Sequence, residues 1–98
     1  MYFLYTNSNL SELVVINTQK FGSFNIGGNS NQDGNLTVTT PSGYKFVGLV
    51  GCGATHGDIL ISSCRKNGEN SVYMSIRNGY SNSQTYDFYV DCLFIKNL

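Results

Sequence analysis

Apolar side chains in this chain recur at every second position in short runs, and the runs are separated by clusters of Gly, Asn, Ser and Pro. That is the period of a strand, and no window carries a 3.6-residue stripe. Residues 85–96 are the clearest case. Tyr86, Phe88, Val90, Cys92 and Phe94 share one face, Thr85, Asp87, Tyr89 and Asp91 the other, and Leu93 and Ile95 make the end of that second face apolar too. In residues 71–77, Val72, Met74 and Ile76 alternate with Tyr73, Ser75 and Arg77. Residues 36–40 alternate in the same way, residues 12–17 and 58–64 form short Leu/Val/Ile-rich strands, and in residues 21–26 Phe24 and Ile26 share a buried face with Gly22.

The stretch 43–53 is apolar on both faces. Tyr44, Phe46, Val50 and Cys52 point one way, Val47 and Leu49 the other, with Gly48, Gly51 and Gly53 left bare. It reads as a central strand of a sandwich, or as one whose second face meets another subunit. Residues 27–34 read as a loop by composition, as do 54–57 and 78–84, and Pro41-Ser42-Gly43 as a turn. Asn67-Gly68 between two strand-like runs predicts a two-residue type I′ hairpin. The expected fold is all-β, an antiparallel, jelly-roll-like β-sandwich of about seven strands. Residues 1–9 form an N-terminal segment and residues 10–98 a single domain.

A core that fits within 98 residues is small, so oligomerisation is a natural further source of stability. Leu93, Ile95, Val47 and Leu49 need a second cover, which a symmetric subunit interface supplies, or two sheets of one chain. Charged residues are 12% and the net charge is zero, so no basic surface exists to track phosphates and nucleic acid is excluded as a partner. Polarity comes instead from Asn, Ser, Thr and Gly, which suits neutral partners such as sugars, or a fibrous assembly. Met1-Tyr2-Phe3-Leu4-Tyr5 lacks a basic flank and is ended by Thr6-Asn7-Ser8-Asn9, which predicts neither a secretion signal nor membrane insertion.

Catalytic and metal chemistry find little footing. Cys52, Cys64 and Cys92 cannot all pair within one chain and read as reduced, mostly buried thiols. With His56 they make a Cys₃His set, but without the close pairs of zinc sites, and no third group orients a Cys-His nucleophile. The glycines at 48, 51, 53 and 57 lack the Lys-Ser/Thr ending and helix of a phosphate loop. Asp87 and Asp91 stand roughly 13 Å apart along one strand at ~3.3 Å per residue, beyond the roughly 5–9.5 Å of glycosidase carboxylates. The expectation is no enzyme, no cofactor and no metal. What remains is recognition by loops through His56, Asp58, Tyr73, Arg77, Asn78, Tyr80 and Asn82, whose rings and planar polar groups stack on sugar faces and bind hydroxyls. Asn78 alternatively shapes the turn with Gly79, and Arg77 alternatively bridges Asp87 or Asp91.

One resemblance bears on function. Gly43-Tyr44-Lys45-Phe46-Val47-Gly48-Leu49-Val50-Gly51, a variable loop, Val72-Tyr73-Met74-Ser75-Ile76-Arg77-Asn78 and a closing Phe88-Tyr89-Val90-Asp91-Cys92-Leu93-Phe94-Ile95-Lys96 resemble the small C-terminal β domains of tail-fibre and receptor-binding proteins from phages and prophages of gut Firmicutes. The resemblance runs from about Leu13 to the end. It implies a homotrimeric tip on a virion, made in the bacterial cytoplasm, that binds a bacterial surface glycan or protein. Two rivals accompany it. One is a purely structural fibre or capsid-decoration module. The other is a small phage protein that captures a host molecule between subunits, in a concave site lined by Arg77, Lys45 or Lys66.

Overall fold

A computed structural model describes residues 13–55 and 59–98. Among these residues the elements are all strands: β1 (Val14–Ile26), β2 (Asn31–Thr37), β3 (Tyr44–Ala54), β4 (Ile59–Lys66), β5 (Ser71–Asn78) and β6 (Gln84–Lys96). They form two antiparallel three-stranded sheets, sheet I in the order β1-β6-β3 and sheet II in the order β2-β5-β4. Each central strand buries every second residue. Tyr86, Phe88, Val90, Cys92 and Phe94 of β6 are fully buried, as are Val72 and Ile76 of β5, with Met74 at 1% exposure. These residues join Phe46, Ile26 and Val38 in one hydrophobic cluster fed by both sheets. Burying each such side chain is worth about 1.5–3 kcal/mol relative to exposure.

Six strands replace the about seven expected because residues 12–17 and 21–26 belong to one thirteen-residue strand, β1. An irregularity between Phe21 and Phe24 in its pairing with β6 keeps both rings packed against the core. Gly22 is therefore exposed rather than sharing the buried face of Phe24 and Ile26. The expected loop over 27–34 is shorter. Asn31 to Gly34 pair with Arg77 to Met74, so their polar side chains decorate a strand. The Asn67-Gly68 turn is also not the two-residue hairpin expected. Residues 67–70 separate the strands, the Asn67 N–H donates to the Ser71 carbonyl at 2.8 Å, and Gly68 takes φ +138°.

β3 departs most from its sequence pattern. Its pairing with β6 slips between Phe46 and Gly48 and again between Leu49 and Gly51. Each slip inserts an unpaired residue and reverses the side-chain phase beyond it. Leu49, opposite Cys92, therefore packs on the core, whereas Val47 and Val50 lie exposed at 36% and 55%. Cys52 is exposed as well. Leu49→Ala should cost about 2 kcal/mol, and Val50→Ala should stay within about 0.5 kcal/mol of wild type. Urea unfolding of both variants checks the phase, and equal costs would contradict it.

Candidate functional site

The strand registers decide which loops share an end of the molecule. Ile26 faces Gln84, Asn31 faces Arg77, and Ile59 faces Asn78. Residues 27–30 and 79–83 thus lie together, and Thr55 joins them through its N–H to the Asp87 carbonyl at 3.1 Å. His56 and Asp58 lie outside the described residues.

Asn78 organises this end from inside. It is fully buried, and the side-chain NH₂ donates to the carbonyls of Ile26 (3.0 Å), Gly27 (3.2 Å) and Asn82 (2.8 Å). Its Oδ1 accepts from the Tyr80 N–H at 2.9 Å and the buried Tyr86 hydroxyl at 2.8 Å. The amide is thus spent inside the fold, as the turn-shaping alternative had it, and has no surface to offer a ligand. The two loops also touch directly. The Asn29 N–H donates to the Tyr80 carbonyl at 2.8 Å, and a Cβ at Gly28 would lie 2.0 Å from the Ser81 carbonyl oxygen, so only glycine fits there. Tyr80, 39% exposed, and Asn82 remain at the surface.

Tyr73 and Arg77 stand elsewhere, on the outer face of sheet II. That face is assembled by register: Arg77 beside Asn31 and Leu60, Ser75 beside Asp33 and Ser63, Tyr73 beside Asn35 and Arg65. Cross-strand bonds hold the side chains in place. Arg77 donates to Asn31 Oδ1 at 3.1 Å, the Ser75 hydroxyl donates to Asp33 Oδ1 at 2.6 Å, and the Ser62 hydroxyl donates to that of Ser75 at 3.0 Å. The Arg65 guanidinium lies 4.8 Å from the Tyr73 ring centre while donating to the Ser63 hydroxyl. Arg77 does not bridge Asp87 or Asp91, which sit on the other sheet. Asp91 accepts from the Thr18 hydroxyl, and Asp87 from the Ser23 hydroxyl at 2.6 Å beside Lys20 at 3.4 Å. Those partners, Ser23 first, hold the Asp87 carboxyl below its usual range.

Two concavities lie away from these loops. A cleft of about 470 Å³ opens between residues 40–46, Glu69, Asn70 and Asn97. A second, of about 480 Å³, lies along residues 17–21 with Thr37, Thr39 and Pro41. Gln19 bridges the sheets beside it, its amide pairing with the Thr39 carbonyl at 2.7 Å and the Thr39 N–H at 2.9 Å. Lys45 lines the first cleft, and Lys66 lies 5.6 Å from the Phe46 ring. Arg77, at the far end of β5, does not join them.

The cysteines cluster without forming a metal site: among the described residues no group of three or more His, Cys, Asp or Glu side chains is placed to hold an ion. The Cys64 thiol is pushed up to about 12, chiefly by burial and then by its hydrogen bond to Cys52 and the nearby Cys52 and Cys92. Burial, followed by the Asp91 charge, raises Cys92. No protein-family model, curated protein or solved structure matches this chain.

Two measurements probe this geometry. Removing the Asn78 amide orphans three carbonyls and a phenol, so Asn78→Ala should cost about 3 kcal/mol, whereas Tyr86→Phe, which leaves Oδ1 its Tyr80 donor, should cost about 1 kcal/mol. Thermal and urea unfolding read both, and a near-neutral Asn78→Ala would contradict the hub. For the thiols, alkylation of the folded protein near neutral pH should mark Cys52 and spare Cys64 and Cys92 until unfolding. Because the folded Cys64 holds its proton above its ordinary value of 9.0, its contribution is complete below pH 9 and is lost as pH rises toward 12. Cys64→Ser should flatten that alkaline loss.

Proposed function

We propose that this chain is a non-enzymatic binding domain of the phage tail-fibre type, a six-stranded jelly-roll-like sandwich that recognises a bacterial surface glycan. The strand order supports the architecture. Successive strands switch sheets at every connection except β4 to β5, which is the winding of a jelly roll shortened by one hairpin.

The observation that carries the binding role is the outer face of sheet II. It is a field of short, neutral hydrogen-bonding side chains from Asn31, Asn35, Thr37, Ser63, Ser71 and Ser75, set by the register of β2, β4 and β5. Within it stand one aromatic ring, Tyr73, two forked donors, Arg77 and Arg65, the carboxylate of Asp33 and the exposed Leu60 beside Arg77, with Tyr73 and Arg77 each fixed by a neighbour. Sugar hydroxyls need donors and acceptors at fixed spacing, and their CH faces need a ring to stack on. A face already ordered by its own cross-strand bonds loses little side-chain freedom on binding. Tyr80 and Asn82 are exposed at the loop end that follows Arg77 and Asn78. Short polar groups of this kind bind weakly one at a time, so display in several copies on a virion would multiply them.

Binding to whole cells and to purified envelope glycans tests the reading. Arg77→Ala and Tyr73→Ala should each weaken binding about tenfold, the scale of one charge-assisted hydrogen bond or one stacked ring, while the melting temperature holds. Retained binding in both variants, or binding that survives deglycosylation of the cells and is lost to protease, would move the assignment off this face or to a protein receptor.

A further inference from the structure

The two edges where the sheets meet are closed differently. At the β1 and β2 edge, Gln19 reaches across and exchanges two hydrogen bonds with the Thr39 peptide. At the β3 and β4 edge the facing residues include two thiols. Cys52 pairs with Val90 and Cys64 with Met74, and both partners are buried, inward positions of the central strands. Cys52 and Cys64 therefore each point from an edge strand into the seam between the sheets. β3 lies against β4 along that seam, and the Cys64 thiol donates a hydrogen bond to Cys52. Strand register and side-chain contact thus agree in bringing the two sulfurs together.

Core filling accounts for only one of the pair. Cys64 packs against the hydrophobic cluster, whereas Cys52 is exposed despite its inward phase, because the seam is open at this edge. A side chain that reaches water fills no core, so what Cys52 offers is the chemistry of its thiol rather than its bulk. Cys92 is placed otherwise. It is fully buried on β6 opposite Leu49, with its thiol turned to the Val90 carbonyl at 3.8 Å, and lies behind the pair rather than in it.

We propose that Cys52 and Cys64 form a reversible dithiol site that closes into a disulfide across the seam, with a small-molecule disulfide such as oxidised glutathione as the oxidant. The exposed Cys52 thiolate attacks one sulfur of glutathione disulfide and expels one glutathione thiolate, which leaves a mixed disulfide on Cys52. Cys64 then gives its proton to water, and its thiolate attacks Cys52 Sγ, forms the intrachain bond and expels the second glutathione thiolate. Both expelled thiolates take up protons from solvent. Two protein thiols are thereby oxidised by two electrons, and one glutathione disulfide is reduced to two thiols. Burial of Cys64 makes the second step the slow one. Cytoplasmic thiols keep such a pair open, and oxidising surroundings let it close. The bond ties sheet I to sheet II on the inside of the sandwich, away from the outer face proposed for glycan binding, so the two readings stand or fall separately.

Prolonged incubation of the folded full chain with oxidised glutathione at mildly alkaline pH, followed by intact mass and peptide mapping, tests this. The wild-type chain should lose two thiols, retain no glutathione and yield the Cys52 peptide linked to the Cys64 peptide within one chain. Its melting temperature should rise by about 10 °C, the scale for closing a short loop, and fall back when dithiothreitol is added. Cys92→Ser should behave like the wild type. Cys64→Ser should stop at the mixed disulfide and keep one glutathione on Cys52, and Cys64→Ala repeats this measurement should the serine hydroxyl disturb the core. Cys52→Ser should take up no glutathione while folded. A wild-type chain that keeps its glutathione, one whose thiols stay unreacted, or a bond from Cys52 to Cys92 or to a second chain would overturn the proposal.

Discussion

A carboxamide at the end of an apolar strand is tolerable only when all of its hydrogen-bonding capacity is used, because an orphaned polar group inside a core costs about 1–3 kcal/mol. Asn78 meets that condition by drawing on three separate pieces of chain. It takes carbonyls from the end of β1 and from residues 27–30, a carbonyl and an N–H from residues 79–83, and a hydroxyl from β6. Among the described residues no other amide or charged side chain is buried, and the buried Tyr86 hydroxyl is itself one of its partners. The two loops therefore cannot move independently, and the contact of Gly28 with Ser81 follows from their being drawn to one point. The exposed positions of Tyr80 and Asn82 follow too, since the backbone beneath them is anchored while their side chains are left outside.

The same alternation that buries β5 and β6 on one side assigns opposite characters to the two outer faces. On sheet II every outward position of β2 and β5 carries a group that can donate or accept, and neighbours satisfy one another across the strands. On sheet I the outward positions near Leu93 are apolar on the β1 side and empty on the β3 side. Hydration holds the first face open and penalises the second. With six cations and six anions in the whole chain, long-range charge has little part in either, and local shape and short hydrogen bonds decide what each face meets.

The strands legible in the sequence were those whose period is unbroken. β5 and β6 run eight and thirteen residues with strict alternation, and the buried faces expected for them are the ones observed. β3 was legible as a strand but not in phase, since its two slips depend on how β6 pairs with it, a long-range fact that no local pattern records. β1 was split in two because Gln19-Lys20 looks like a break. Gln19 instead occupies an inward position opposite Val90 and is satisfied by the Thr39 peptide, a partner twenty residues away. Composition misread the start of β2 for a similar reason: Asn31 and Asp33 are turn formers in isolation, yet here they are on the outer face of an edge strand. Of the candidate site residues, Asn78 was visible as a turn former, but its burial follows from two loops converging. Tyr73 and Arg77 were placed on the outward phase correctly, while their partners across β2 and β4 required the register.

The three glycines of β3 sharpen the point about what a single chain can explain. A residue is usually accounted for by its own φ and ψ, by what crowds it, or by what it touches. Gly28 is accounted for by crowding against Ser81, and Gly43 and Gly68 by positive φ. Gly48 and Gly51 are accounted for by pairing: each stands just past a slip of β3 against β6, and a bulge is a usual place for glycine in a strand.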